Sequence, residues 1–429
     1  MHYEKFQDGT VKCIENEIPF ELPDGWSWAR LRDICMMSAG KSKSTVQIKS
    51  EPFEGSYPCF GGNGVRGYVD EYNQDGIFSI VGRQGALCGN INIAIGKFYA
   101  TEHAVVTTLF DGIDFKWSNY ILEALRLNNY ATGAAQPGLS VANILNVFVP
   151  VPPTQEQDRI GNSVYESLKI IEALEQEKID LQKNIITAKT KILDLAICGK
   201  LVPQDPNDEP ASVLLERIRA EKEELIKHGK IKRDKKESVI FKGDDNSYYG
   251  IHLPDSWNWA SLREIALSIS DGSHNPPPNN GSGIPLLSAA NINDNSILMN
   301  EISRWITNEE WKIENQRTNI EVGDVLLTIV GSIGRSAVVQ NNNHFALQRS
   351  VAVIKPCLIN PLYLMHIVQS PQIQKWLTDN SKGTAQKGIY LNALSLMIIP
   401  IPPLAEQARI VEHIHIAYKQ LDLISNALL

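Results

Sequence analysis

The stretch GKS at residues 40–42 contains the residue types that end a phosphate-binding P-loop. The first glycine of a P-loop would then fall at position 35, which is Cys35, and a helix would have to follow. The next residues, KSTVQIKSEPFEG, have no helical pattern. We therefore interpret GKS as part of a loop and not as a nucleotide-binding site.

A second stretch, HNPPP at residues 274–278, contains the Asn-Pro-Pro core of a motif with which adenine methyltransferases hold their target base. The fourth residue of that motif is an aromatic that stacks on the flipped base, whereas here it is Pro278. The preceding SISDGS predicts a turn and not the end of a strand, and no glycine-rich cofactor loop accompanies the motif. An ordered proline loop is the better interpretation.

Other catalytic and metal-binding patterns are absent from the sequence. It has no HExxH, no GxSxG and no CxxC pair, and its histidines are dispersed. VGRQGALCG and VGSIGRS follow strand-like runs, but neither is a GxGxxG that opens a helix. The scattered cysteines argue against a zinc site and a disulfide framework, and they indicate a reducing cytosol. The sequence therefore favours a non-catalytic binding protein.

Length, charge and apolar content limit the class of protein further. A chain of 429 residues is long enough for two or three domains. Its net charge of −8 is not typical of a nucleic-acid binder, so DNA binding would need basic groups that are clustered in space or supplied by a partner. The N-terminal segment has no apolar core of a signal peptide, and no apolar run approaches the ~20 residues that span a bilayer. We expect a cytoplasmic protein.

Five sequence anchors occur twice in the same order, while the stretches between them differ greatly. This repeat predicts two homologous domains that share a frame and differ in their interiors. The paired anchors are LPDGWSWARLRDI (22–34) with LPDSWNWASLREI (253–265), YPCFGG (57–62) with IPLLSA (284–289), SIVGRQG (79–85) with TIVGSIG (328–334), TGAAQPGLS (132–140) with KGTAQKGIY (382–390), and PVPPTQEQDRI (150–160) with PIPPLAEQARI (400–410).

Each domain mixes β-branched, strand-like runs with short helical stretches, and Ser140 is expected to cap the helix VANILN. A helix with apolar residues at 3/4 spacing follows each junction; the first runs for about 40 residues, or ~60 Å, until Gly199 and Pro203 end it. Another helix is predicted over 211–227. The apolar positions are Ile160, Val164, Ile171, Leu174, Leu181, Ile185, Ala188, Ile192 and Leu195, and then Ile410, Ile414, Ala417, Leu421, Ile424 and Leu428.

Helices with a single long apolar stripe usually pair with each other. The predicted fold is therefore α+β, with two homologous mixed α/β domains separated by long helices that form an intramolecular antiparallel coiled coil. Packing of each helix on its own domain is the alternative.

These stretches together resemble the specificity (S) subunit of type I restriction–modification systems. The resemblance rests on the LPDGW opening, YPCFGGNGVRGYVDEY, IVGRQGALCG, TAQKG, the repeated P-PP--EQ-RI junction and GKLVPQDPNDEPASVLLERI. ISDGSHNPPPNNGSGIPLLSAANI looks like the start of another target-recognition domain of that family. The resemblance covers essentially the whole chain, although the tail has no second GKLVPQDP region.

The resemblance implies two target-recognition domains that each recognise one half of a split, asymmetric site in double-stranded DNA. Two modification subunits would dock on the helical spacer and methylate adenine with S-adenosylmethionine, and restriction subunits would use ATP and Mg²⁺. This chain itself would hold no cofactor and carry out no chemistry. The implied boundaries are an N-terminal extension at 1–21, target-recognition domain 1 at 22–153, a central spacer at 154–236, target-recognition domain 2 at 237–403 and a C-terminal spacer helix at 404–429.

Base recognition needs polar side chains that project from loops and reach base edges. Arg83 and Gln136 have a rival interpretation as scaffold or phosphate contacts, because they lie in the shared anchors. The candidates for DNA contact are Lys41, Lys43, Asn63, Arg66, Arg83, Gln84 and Gln136 in the first domain, and His274, Asn275, Ser332, Arg335, Arg349, Gln386 and Lys387 in the second.

Two other functions stay open at this point. A stand-alone DNA methyltransferase or nuclease would need a cofactor loop or catalytic carboxylates, and the sequence shows neither. A coiled-coil scaffold that binds only protein would not depend on the identity of the two domains.

Overall fold

The computed structural model describes residues 2–85, 87–133, 137–233, 247–383 and 387–428. The chain divides into two compact units, Met1–Glu177 and Lys178–Leu429. Among the helices of these described ranges, none combines the length and the apolar character that crossing a membrane requires.

Unit 1 is built on a six-stranded sheet, antiparallel except for one parallel pair. Its strands are β1 Tyr3–Lys5, β2 Val11–Cys13, β3 Ser27–Arg30, β4 Cys35–Ala39, β5 Tyr57–Gly61, β6 Gly64–Val69, β7 Gln74–Gly82, β8 Ile91–Ala100, β9 Ala104–Leu109 and β10 Phe148–Val151, and its helices are α1 Leu31–Ile34, α2 Phe115–Ala124, α3 Val141–Ile144 and the start of α4 Thr154–Ile197. The sheet order is β4-β9-β7-β8-β5-β6, with β5 and β8 parallel, and β10 pairs with β3. Apolar residues of β7 and β9 pack with Trp117 and Leu122 of α2, so the core lies between this sheet and its helices.

Unit 2 repeats this plan with a longer insertion. Its strands are β11 Ser247–Tyr248, β12 Ile251–His252, β13 Asn258–Ser261, β14 Ala266–Asp271, β15 Ile284–Leu287, β16 Ile292–Asn293, β17 Ser296–Ile297, β18 Trp305–Ile306, β19 Val325–Thr328, β20 Ser336–Val338, β21 Ala346–Leu347, β22 Val351–Pro356 and β23 Ile398–Ile401, and its helices after the end of α4 are α5 Ala211–Lys227, α6 Leu262–Ile265, α7 Asn308–Thr318, α8 Pro361–Val368, α9 Pro371–Asp379, α10 Leu391–Leu394 and α11 Leu404–Ala427. The central sheet has the order β14-β22-β19-β20, β15 lies between β18 and β21, and β13 pairs with β23.

The two units use the same backbone hydrogen bonds at corresponding positions, which we call the shared frame. Gly40 donates to Ala104 and Lys41 to Ala100 in unit 1, and Gly272 donates to Val351 and Ser273 to Leu347 in unit 2. The parallel strand pairs agree with this correspondence, since Phe60 faces Ala100 and Leu287 faces Leu347. The predicted match of YPCFGG with IPLLSA is therefore confirmed by the strand register.

One predicted match is wrong in its register. Gly85 donates to Pro137 in unit 1, and the residue that makes the same bond in unit 2 is Gly331, which donates to Lys387. The sequence had matched Gly331 with Gly82. The shared sequence IVG does not mark the same structural position in the two units. Ile80-Val81-Gly82 still belong to β7, whereas Ile329-Val330-Gly331 come after the end of β19. Arg83 and Gln84 correspond to Ile329 and Val330.

The repeated junction has one structural role in both units, which its buried glutamine performs. In each copy the side-chain oxygen accepts from the backbone N–H at the N-cap of a helix, and the side-chain nitrogen donates to a proline carbonyl. The partners are Asp114 and Pro152 for Gln157, both at 2.9 Å, and Asn360 at 2.9 Å and Pro402 at 3.1 Å for Gln407. The junction thus ties the first turn of α4 or α11 to the sheet and to the helix of its own unit.

The end of α4 packs against α11 in the antiparallel sense. The Lys189 ammonium lies 2.5 Å from Asp422, and the Tyr418 hydroxyl donates to the Lys189 carbonyl at 3.2 Å. Further along the chain, Gln204 donates to Glu406, which is earlier in α11. Residue numbers therefore rise on one segment as they fall on the other.

The predicted α+β fold with an antiparallel helix pair is confirmed, but the pairing is shorter than the apolar stripe. Of the predicted stripe, Ile185 is buried, whereas Ile171, Leu174 and Leu181 are exposed. The physical reason is length, since α4 has 44 residues and α11 has 24.

Candidate DNA-binding surfaces

Three glycine-rich segments of unit 1 lie next to one another: the turn between β5 and β6, the loop after β7, and the loop before α3, which we call the third loop. Together they form what we call the unit 1 surface. The turn between β5 and β6 approaches the end of β7 so closely that a Cβ on Gly82, the last residue of β7, would lie 2.0 Å from the Gly62 carbonyl oxygen. Only glycine allows this approach. The loop after β7 also bonds to the third loop, since Leu139 donates to Arg83 at 2.8 Å. The glycines of these sequence anchors therefore allow the loops to pack closely against each other.

The unit 1 surface brings several predicted residues together around an open cavity of about 620 Å³. Asn63, Arg66 and Gln84 line it, and all three side chains are exposed. Such amide and guanidinium groups can form paired hydrogen bonds to base edges. The shared frame thus presents side chains suited to recognising DNA bases.

The other candidates in unit 1 have different surroundings. Lys41 is exposed but does not line the cavity, and Arg83 is half-buried with its backbone N–H bonded to the His103 carbonyl at 2.9 Å. The Lys43 side chain is only 7% exposed, and its Nζ atom donates a hydrogen bond to Glu71 Oε1 at 2.6 Å. This hydrogen bond raises the pKa of the Lys43 ammonium group. Its charge is already paired, which weakens the case for a DNA contact. Gln136 lies outside the described residues.

His103 also lines the unit 1 cavity, although the sequence did not single it out. Its Nδ1 atom is buried and has no hydrogen-bond partner, as is true of Oε2 of the neighbouring Glu102. In the sequence, the one indication of a role is that both residues come directly before the apolar strand β9. The pairing of β9 with β7 is needed to place them beside the glycine-rich loops.

A second candidate surface is a pocket in unit 2, about 590 Å³ in volume, which we call the unit 2 pocket. Its lining includes the polar or charged residues Asp271, His274, Arg317, Arg349 and Lys382. The turn predicted at SISDGS is wrong, because residues 268–271 form the end of β14. Asp271 is buried there and accepts hydrogen bonds from Arg317 Nη2 and from His274 Nε2, the latter at 2.8 Å. Arg317 Nε donates to the Asp271 carbonyl at 2.9 Å. A buried carboxylate therefore fixes two polar side chains at the pocket.

Two of the predicted residues of unit 2, His274 and Arg349, line the pocket. The remaining described candidates are exposed outside its lining: Asn275, Ser332, Arg335 and Lys387. Gln386 lies outside the described residues.

Sequence reasoning missed Arg317, Lys382 and the exposed Tyr390 of the unit 2 pocket. Lys382 and Tyr390 could have been found, because they stand at the ends of the anchor KGTAQKGIY. Arg317 gave no such signal, since it lies on α7 in the stretch that unit 1 does not share.

Several cysteine thiols are held in their protonated form. Burial raises the pKa of Cys35 to about 12 and that of Cys357 to about 11. A thiol is a poor nucleophile until it ionises. Over the described ranges, no group of three or more His, Cys, Asp or Glu residues is arranged to hold a metal ion.

The chain matches the family model described as "Type I restriction modification DNA specificity domain" twice, at residues 23–189 and 254–428. It is 42% identical over 181 residues to the type I restriction enzyme EcoprrI specificity subunit of Escherichia coli, a match that covers 39% of this chain and 43% of that protein. It is 24% identical to the EcoEI specificity subunit of Escherichia coli over 99% of this chain and 83% of that protein.

A solved structure has the same fold. The HsdS subunit from Thermoanaerobacter tengcongensis aligns with 96% of this chain and 94% of its own, with a TM-score of 0.56 and 17% sequence identity. The family model matches both halves and most of the sequence, and each half contains the shared frame with its own exposed loops. The chain is therefore a member of the type I restriction–modification DNA specificity family.

Proposed function

We propose that this chain is the DNA-specificity subunit of a type I restriction–modification complex. Each unit recognises one half of a bipartite, asymmetric site in double-stranded DNA, and α4 with α11 forms the spacer between the two recognition domains. One observation carries the proposal: corresponding positions of the shared frame have different side chains. Gln84 corresponds to Val330, and His103 to Ser350. Two units with the same backbone frame but different side chains at these positions are suited to recognising two different half-sites.

The proposed chain is non-catalytic and works through partner subunits. Modification subunits supply S-adenosylmethionine and adenine methylation, and restriction subunits supply the chemistry that needs ATP and Mg²⁺. The names of the relatives support this division of labour, since both are specificity subunits of restriction enzymes. Partners that contribute phosphate contacts would also explain how a chain with a net charge of −8 binds DNA. A cytoplasmic location follows from the proposed substrate.

The test uses the chain assembled with its modification subunits. A double variant, Asn63→Ala with Gln84→Ala, removes two amides from the unit 1 surface. Each lost base contact costs about 1–3 kcal/mol of discrimination. We therefore expect the preference for one half-site to fall by roughly 5–150-fold for each contact removed, while the preference at the other half-site stays unchanged. Competition binding on duplexes with shuffled half-sites measures both preferences.

Arg83→Ala is the matched control, because the half-buried Arg83 is expected to position the complex and not to recognise bases. It should weaken binding to all duplexes by a similar factor. An equal loss on every duplex for both variants would contradict base recognition by the unit 1 surface. Unchanged methylation specificity after exchange of both recognition domains would favour the protein-only scaffold.

A further inference from the structure

The unit 2 pocket has an excess of positive charge. Arg317, Arg349 and Lys382 line it, and Asp271 is the one carboxylate among its described lining residues. Arg349 and Lys382 are exposed, and within the described ranges neither has an acidic partner. Unpaired cations gathered in a concave site attract an anion, and this chain is otherwise acidic overall.

Arg317 is held in a fixed direction and does not move freely at the surface. Its Nε and Nη2 atoms bond to the carbonyl and the carboxylate of the buried Asp271, and His274 donates to the other carboxylate oxygen. The side chain is still 49% exposed, and Nη1 makes no hydrogen bond to the described part of the chain. A guanidinium that is oriented in advance loses less entropy when it binds a phosphate oxygen.

The cationic lining residues of the unit 2 pocket have no basic counterparts among the described residues of unit 1. Through the shared frame, Asp271 corresponds to Ala39 and His274 to Ser42, and the helix that carries Arg317 has no counterpart between β5 and β7. Arg349 corresponds to Glu102, which reverses the charge. Lys382 corresponds to Thr132, since each forms a bridge with the glycine of its own anchor. The cationic pocket is therefore a feature of unit 2 and not of the frame.

We propose that the unit 2 pocket binds a backbone phosphate of duplex DNA through Arg317, Arg349 and Lys382. The inference rests on the proposed function, because it assumes that DNA is the ligand. It adds a difference between the units, since Arg349 and Lys382 correspond to Glu102 and Thr132 of unit 1 and Arg317 has no counterpart there. Asp271 is a positioning residue for Arg317.

The experiment measures DNA affinity across a range of salt concentrations for the full chain assembled with its modification subunits. Each phosphate contact contributes about 0.9 to the slope of log affinity against log salt. We expect the variant that combines Arg317→Ala, Arg349→Ala and Lys382→Ala to reduce the slope by about 0.9, the contribution of one phosphate, and each single variant to reduce it by part of that amount, on cognate and unrelated duplexes alike. The ratio of cognate to unrelated affinity should not change. Lys312→Ala is the matched control, since Lys312 is an exposed cation on the same helix outside the pocket.

Arg349→Lys separates a phosphate contact from a base contact. A lysine keeps the charge but not the planar fork, so it should restore the salt slope at a phosphate and fail to restore recognition at a base. An unchanged slope in Arg349→Ala and Lys382→Ala would overturn the proposal, as would a loss confined to the cognate duplex. Neither residue is buried, so misfolding would not explain such a result.

A small anion is the other source of the same chemistry. Titration calorimetry of the chain with inorganic phosphate, without DNA, distinguishes it. Phosphate binding that disappears in Arg349→Ala, together with unchanged DNA binding, would assign the pocket to a free anion and overturn the proposal. A wild-type complex without preference for any duplex would contradict the proposed function, while the salt slopes would still decide the phosphate contact.

Discussion

Replacement of Trp257 by alanine is expected to destabilise unit 2 by about 3–5 kcal/mol. The Trp257 side chain is only 1% exposed and belongs to the main hydrophobic core of the unit. Its indole Nε1 donates to the Glu406 carboxylate at 2.9 Å, and burial raises the pKa of that carboxyl. The substitution therefore leaves both a cavity and a buried carboxylate that has lost a donor. Urea unfolding followed by far-UV circular dichroism measures the loss.

The repeat supplies a matched control in Trp26, which occupies the same place in LPDGW. Trp26 is half-buried, so Trp26→Ala removes less apolar area from the core and should cost clearly less than Trp257→Ala. Trp257→Phe keeps most of the ring volume and should cost about 1–3 kcal/mol, mainly for the lost hydrogen bond. Equal losses for Trp26→Ala and Trp257→Ala would contradict the packing described for unit 2.

Gly40→Ala in unit 1 and Gly272→Ala in unit 2 are expected to cost about 3 kcal/mol or more each. A Cβ at either position would lie 2.1 Å from a backbone carbonyl oxygen, that of Ala100 or that of Leu347. These carbonyls accept the hydrogen bonds of the next residues, Lys41 and Ser273, and cannot shift without breaking the shared frame. Thermal unfolding of the two variants checks the loss.

Gly96→Ala is the control for this substitution. Gly96 has a positive φ of 78°, but a Cβ there would meet nothing within 4 Å. Its cost should be limited to the backbone strain of about 1–2 kcal/mol. If Gly40→Ala and Gly272→Ala were no more destabilising than Gly96→Ala, the close approach of the two backbones would be wrong.

The sequence predicts the features that depend on local pattern. The helix expected at 211–227 is α5 Ala211–Lys227, and both spacer helices begin inside the repeated junction. Ser140 stands at the N-cap of α3 as expected, although its hydroxyl makes no capping bond. These predictions succeed because apolar spacing and turn residues act over a few neighbouring positions.

The features that the sequence could not supply depend on distant contacts. The pairing of Lys43 with Glu71 and the position of Arg317 beside Asp271 join residues that no spacing rule connects. The register of the IVG stretches required the hydrogen bonds of the third loop. Only the length of α11 shows which part of the apolar stripe on α4 is covered. The glycine of the GKS stretch is required by the structure, because a side chain at Gly40 would clash with a neighbouring backbone. Its role is therefore in packing and not in phosphate binding.

The most direct test of the central claim is a map of methylated adenines. Single-molecule sequencing would compare genomic DNA from cells that carry the partner subunits with the wild-type chain, with the Asn63→Ala, Gln84→Ala chain, or with neither. We predict a bipartite motif for the wild type, and for the variant a motif with one half relaxed while the other half and the spacing stay the same. Methylation that does not depend on this chain, or a variant that changes both halves together, would contradict the claim that each unit recognises its own half-site.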